Sequence, residues 1–70
     1  MTNLKHISTN IHALRKDMNI TQQEAAQKAG ISTNYWNWIE NGKRVPKLST
    51  LETIANVLGV KLSRLFEEKE

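Results

Sequence analysis

Cysteine is absent from the 70-residue chain, so disulfides and thiolate-ligated metals are excluded and a reducing compartment is the natural setting. One proline and three glycines are all that interrupt it, and Tyr35, Trp36, Trp38 and Phe66 are its only aromatics. No apolar run reaches the roughly 18 residues that a membrane span requires, and the N-terminus has no signal-peptide core. The expected location is therefore the cytoplasm. His6 and His12 have no second ligand at helical i+3 or i+4 spacing, so no metal is expected and both read as ordinary helix residues. Catalysis lacks its materials as well. No nucleophile is paired with a base and no acid–base pair sits at workable spacing, so the chain reads as a non-enzyme without cofactor or small-molecule ligand.

What is present is helical periodicity and an uneven spread of cations. Seventy residues make one small domain, residues 1–70 with a core over 4–67, and a chain this short needs a well-built core to fold alone. The net charge is +3, but residues 1–47 hold seven Lys/Arg against Asp17, Glu24 and Glu40, whereas residues 48–70 hold three against four Glu. A basic front and a mildly acidic tail fit an anionic partner.

Leu4, Ile7, Ile11, Leu14 and Met18 recur at steps of three and four, the apolar stripe of an amphipathic helix, and Asn19 stands where a left-handed residue would end it. Thr21-Gln22-Gln23-Glu24 reads as a capping box that opens a second, short helix carrying Ala25, Ala26 and Ala29 and stopping at Gly30. Ser32 is a good N-cap, so a third helix is predicted from Thr33 to about Asn41-Gly42. A basic loop follows, Lys43-Arg44-Val45-Pro46-Lys47. Leu48, Leu51, Ile54, Ala55 and Leu58 then mark a fourth helix ending before Gly59. Leu62, Leu65 and Phe66 predict a fifth, short helix ahead of a frayed charged end, Glu67 to Glu70. No stretch alternates as a strand would. The expectation is all-α with five short helices.

Two short helices joined by Gly30 and a few residues form a helix-turn-helix, which sets its helices at roughly 90–120°. A small residue, Ala26, sits where the helices cross, and Gly30 takes a turn conformation that a Cβ would oppose. Ala25, Ala29, Ile31, Trp36 and Ile39 can fill the wedge. At this point the chain resembles the Cro/phage-repressor type of helix-turn-helix domain, the xenobiotic-response-element-like family. The resemblance rests on Leu14-Arg15, Thr21-Gln22, Ala26 to Ser32, Ile39 to Arg44, Pro46 and Leu58-Gly59-Val60, and it covers about residues 4–67. It implies a compact five-helix, lambda-repressor-like fold that binds double-stranded DNA sequence-specifically, usually as a dimer. Ala25 and Trp36 depart from the family's habit of a Leu and an aliphatic there; a small residue facing a large one conserves core volume.

Trp36 and Trp38 are i and i+2, about 200° apart on a helix, so one faces the core and the other faces out. Trp36 shares the inward stripe with Ile39. Thr33, Asn34, Asn37 and Trp38 share the opposite face, which in the fold implied by the resemblance enters the major groove. Asn34 and Asn37 offer the donor and acceptor pair suited to adenine, and Thr33 a hydroxyl or a methyl. Trp38 can pack on thymine methyls or deoxyribose, fold over the loop at Lys43, or line a dimer contact. An Asn-rich face can also be merely solvated. Tyr35 falls between the faces, with its ring half buried and its hydroxyl near a phosphate. The resemblance assigns Gln22 a phosphate or base contact, and Asn41, Lys43, Arg44 and Lys47 should flank the backbone. Arg15 reads as a further phosphate contact or as a partner for Glu40 across the core edge.

The expectation is thus a repressor working as a homodimer on a palindromic operator, with Leu62 and Phe66 near the two-fold axis. Seventy residues leave no room for a ligand-sensing domain, so control would come from concentration, dimerisation or a partner. The other reading is an antitoxin-like interaction module that also binds DNA.

Overall fold

A computed structural model describes residues 4–68, with side chains from His6 to Glu68. Lys69 and Glu70 of the expected frayed end, and the side chain of Leu4 from the first apolar stripe, lie outside what is described. Four α-helices follow in order: α1 over Leu4–Asp17, α2 over Gln22–Ala29, α3 over Thr33–Glu40 and α4 over Leu48–Leu58.

The fifth expected helix is a 3-10 helix of five residues, Leu62–Phe66, which corrects the five-helix expectation. Its physical cause is at its C-terminal end, where the carbonyls that a longer helix would spend internally are taken by Asn10 of α1. The Asn10 amide donates to the carbonyls of Leu65 at 2.9 Å and Glu67 at 2.7 Å. Short 3-10 pieces are the usual outcome where a segment cannot propagate i→i+4 bonds.

The turns from α1 to α2 and from α2 to α3 obey local signals. Thr21 and Glu24 form the reciprocal capping box, with Glu24 N–H on the Thr21 hydroxyl at 3.0 Å and Thr21 N–H on the Glu24 carboxylate at 2.9 Å. Ser32 accepts from the Tyr35 amide at 3.0 Å and starts α3. Gly30, at φ +73°, ends α2 in the left-handed conformation that costs an L side chain energy. Asn19 takes φ +58° after α1, as its position predicts.

The core is one cluster drawn from every element: Ile7, Ile11, Ala25, Ala26, Trp36, Ile39, Leu51, Ile54, Ala55, Leu58 and Leu65. Trp36 is its largest fully buried side chain, and Ala25, likewise at 0 % exposure, is small in the same cluster. Two apolar residues leave their expected stripes. Met18 lies past the end of α1 and is exposed, and Leu48, the first residue of α4, is 59 % exposed. Among the described residues no helix is long and apolar enough to cross a membrane.

Candidate nucleic-acid interface

The α2–α3 pair presents the outer face of α3. Thr33, Asn34 and Trp38 are exposed there, with Asn37 and Tyr35 half-buried at its edges. Trp36 is wholly buried and Trp38 is 40 % exposed, so the i, i+2 pair divides between inside and outside as helical spacing requires. Lys43, Arg44 and Lys47, all exposed, follow α3 in the loop to α4. The Arg44 guanidinium lies 5.4 Å from the centroid of the Trp38 ring, within cation–π range.

Beneath this face a single carboxylate organises three helices. Glu40, the last residue of α3, is buried, and its Oε2 accepts from Arg15 Nε at 2.6 Å and from the indole N–H of Trp36. Its Oε1 accepts from His12 Nδ1 at 2.8 Å, Gln22 Nε2 at 3.0 Å and Arg15 Nη2 at 3.2 Å. A carboxylate only accepts, so His12 must carry its proton on Nδ1. Arg15 Nη1 further donates to the Ile20 carbonyl at 2.7 Å, which ties down the turn before α2. Burial alone would raise the Glu40 pKa; the hydrogen bonds from Arg15, His12, Trp36 and Gln22 outweigh it and bring the carboxyl down to about 2. Arg15 therefore takes the core-edge role rather than facing outward: it is buried, at 7 % exposure.

The network continues to the surface. Gln22 Oε1 accepts from Asn37 Nδ2 at 3.1 Å, and Asn37 Oδ1 accepts from Asn41 Nδ2 at 3.0 Å. Gln22, Asn37 and Asn41, assigned separately from the sequence, form one chain of carboxamides. Leu62 and Phe66 lie elsewhere, in the 3-10 helix, with Leu62 packed on the core cluster and Phe66 37 % exposed.

Two polar residues with structural roles were not singled out in the sequence: His12, which belongs to this network, and Asn10, which lies outside it on the Leu65 and Glu67 carbonyls. Asn10 had a readable signal, since it sits three residues after Ile7 in a core register of α1. His12 bonds Glu40, 28 residues away, and was read only as an ordinary helix residue. Among the described residues no group of His, Cys, Asp or Glu is placed to hold a metal ion.

Known proteins resemble the chain in sequence and in fold. The chain is 38% identical over 63 residues to the immunity repressor protein of Bacillus phage phi105, covering 90% of this chain and 44% of that one. It is 33% identical over 63 residues to the cryptic phage CTXphi transcriptional repressor RstR of Vibrio cholerae, covering 90% and 57%. It therefore spans about half the length of these two phage repressors. The control protein C.MunI of a Mycoplasma species is 40% identical over 58 residues, covering 81% and 78%. The crystal structure of the hypothetical transcription factor NHTF from Neisseria superposes with a TM-score of 0.88 at 25% identity, covering 91% of this chain and 74% of that one. The restriction-modification controller protein C.AhdI from Aeromonas hydrophila shares the fold, with a TM-score of 0.86 at 24% identity and 90% and 96% coverage. A family model described as helix-turn-helix matches residues 11–65, more than half of the chain, and the chain belongs to that helix-turn-helix family.

Proposed function

We propose that the chain is a sequence-specific, double-stranded DNA-binding transcriptional regulator, a repressor acting as a homodimer on a palindromic operator in the cytoplasm. The observation that carries this reading is the outer face of α3, where Thr33, Asn34 and Trp38 stand exposed beside the cations Lys43, Arg44 and Lys47. Polar groups that can pair with base edges are thereby bordered by groups that pair with phosphate. The repressor relatives and the control protein support it, because membership of the family covers the segment that builds this face.

In this reading Thr33, Asn34, Asn37 and Trp38 meet base edges in the major groove. Gln22, Tyr35, Asn41, Lys43, Arg44 and Lys47 meet the backbone. The α2 N-terminus assists Gln22, since its free amides and dipole favour an anion. Leu62 and Phe66 approach the two-fold axis.

Selection of bound sequences from a random duplex library tests the proposal. The expected result is a two-fold symmetric consensus, with affinity falling steeply with salt at a slope of about −0.9 per phosphate neutralised. Lys43→Ala and Arg44→Ala should each weaken binding to all sequences alike and flatten the slope by about one unit. A parent protein with no enriched sequence and a slope near zero does not bind DNA in this way.

A further inference from the structure

The chain Glu40–Gln22–Asn37–Asn41 has a direction, and Glu40 sets it. An ionised carboxylate has no proton to give, so Gln22 must turn its NH2 end toward Glu40 Oε1, at 3.0 Å. The carbonyl end of Gln22 then faces α3, and only the NH2 end of Asn37 can satisfy it, at 3.1 Å. Asn37 is left with its oxygen toward Asn41, which must answer with its own NH2 group, at 3.0 Å. A carboxamide that is free to flip could present either end; here one buried charge orients three in series.

We propose that Gln22, oriented by Glu40, is a positioning residue that fixes the sense of the Asn37 carboxamide and so determines which base Asn37 selects in the duplex. This rests on the DNA-binding reading above and deepens it. A carboxamide carries two N–H donors and two acceptor lone pairs. Asn37 spends one N–H on Gln22 and one lone pair on Asn41, and keeps one donor and one acceptor for the groove. That remaining pair matches adenine, which presents an N7 acceptor beside an N6 donor, and it does not match guanine, which presents two acceptors. The order of donor and acceptor along the groove is fixed as well, so the orientation of the A·T pair is selected along with its identity.

The design also explains why Gln22 is half-buried between Glu40 and Asn37 rather than extended toward solvent. A residue serving phosphate alone needs no acceptor aimed at α3. The oxygen of Gln22 is the part that a phosphate contact does not use.

Binding preferences determined by selection from a random duplex library, for the parent and three variants, test this. Asn37→Ala should erase preference at one base pair of each half-site, lowering discrimination there roughly ten- to hundredfold. Gln22→Met, which keeps the length but loses both ends of the amide, should flatten the same base pair. Gln22→Lys keeps a donor for Glu40 and adds a cation near phosphate, but offers Asn37 no acceptor. It should bind all duplexes at least as tightly as the parent and still lose discrimination at that pair. These variants leave Arg15 and Glu40 in place, and a thermal midpoint measured for each checks that it folds. If Gln22→Met weakens all sequences evenly with the preference profile intact, Gln22 is a phosphate contact only and the proposal is overturned. It is equally overturned if Asn37→Ala changes no base preference. If the parent itself selects no sequence, the DNA-binding reading fails first, which is a distinguishable result.

Discussion

Arg15 on α1 holds the Glu40 carboxylate at the end of α3, with Nε 2.6 Å from Oε2 and Nη2 3.2 Å from Oε1. Both side chains are nearly sealed from solvent, at 8% and 2% exposure. The pair thus clamps α3 to α1 through a buried charge. Breaking one partner of such a pair is costly because it leaves the other charge uncompensated.

Acid stability follows from this clamp. In the folded protein the Glu40 carboxyl is brought from 4.5 down to about 2, so between those values the unfolded chain binds a proton that the folded chain does not. Stability from this group is complete above pH 4.5 and is lost as pH falls toward 2. Glu24 is also lowered, through its hydrogen bonds to Thr21, but it is exposed and contributes far less. Glu40→Gln should therefore have a lower thermal midpoint at pH 7 and a shallower decline between pH 4.5 and 2 than the parent. Parallel declines for the two proteins would place the acid sensitivity elsewhere.

The tryptophans should separate cleanly. Trp36→Ala removes the largest buried side chain and the indole donor to Glu40, at a cost of roughly 3–5 kcal/mol, enough to unfold a domain of this size. Trp38→Ala removes an exposed ring and its Arg44 contact, worth about 0.5–1 kcal/mol. Thermal denaturation of the free protein compares them. Equal loss from both substitutions contradicts the inside–outside division.

Most of the architecture was legible because local chemistry decides it. Thr21 with Glu24, Ser32, Asn19 and Gly30 each fix a helix end through bonds within a few residues, and each does so where the sequence placed it. What stayed hidden depends on distance along the chain. The 3-10 geometry at Leu62–Phe66 is imposed in part by Asn10, more than fifty residues earlier, and no pattern inside the segment signals it. The same holds for the carboxamide chain. Gln22, Asn37 and Asn41 were each recognisable as polar surface groups, but their mutual hydrogen bonds require the α2–α3 crossing to be in place. Trp36 is the local case twice over: its burial follows from the i+3 stripe with Ile39, and its indole bond is to Glu40 one turn on in α3.

Asn10 should prove disproportionately important for a polar residue. It is 1 % exposed and holds the carbonyls of Leu65 and Glu67. Asn10→Ala leaves those acceptors without their donor, at a cost of about 1–3 kcal/mol for a buried, unsatisfied group. Urea unfolding measures the total, and amide exchange should show faster opening at residues 62–67 than in α2 and α3. A midpoint within experimental error of the parent would mean that water replaces Asn10 without penalty.

Dimerisation on DNA is the remaining test of the functional reading. One recognition helix contacts only a few base pairs, too few to mark a site among the ~10⁶ or more competitors in a genome. Two copies related by a two-fold axis double the contacts and require half-sites about 10–10.5 base pairs apart, centre to centre. Phe66 is 37 % exposed in the 3-10 helix, and Leu62 in the same helix already packs inward. Phe66 therefore has apolar surface to give to a partner, and Leu62 less. The expected state is a weak dimer in solution that a full palindrome stabilises. Sedimentation should find two chains per full-site duplex and one per half-site duplex. Phe66→Asp should weaken full-site binding strongly while leaving half-site binding near the parent value, since it places a charge at the axis and none in the groove. One chain per full palindrome at saturation, with affinity unchanged when one half-site is scrambled, would rule the dimer out.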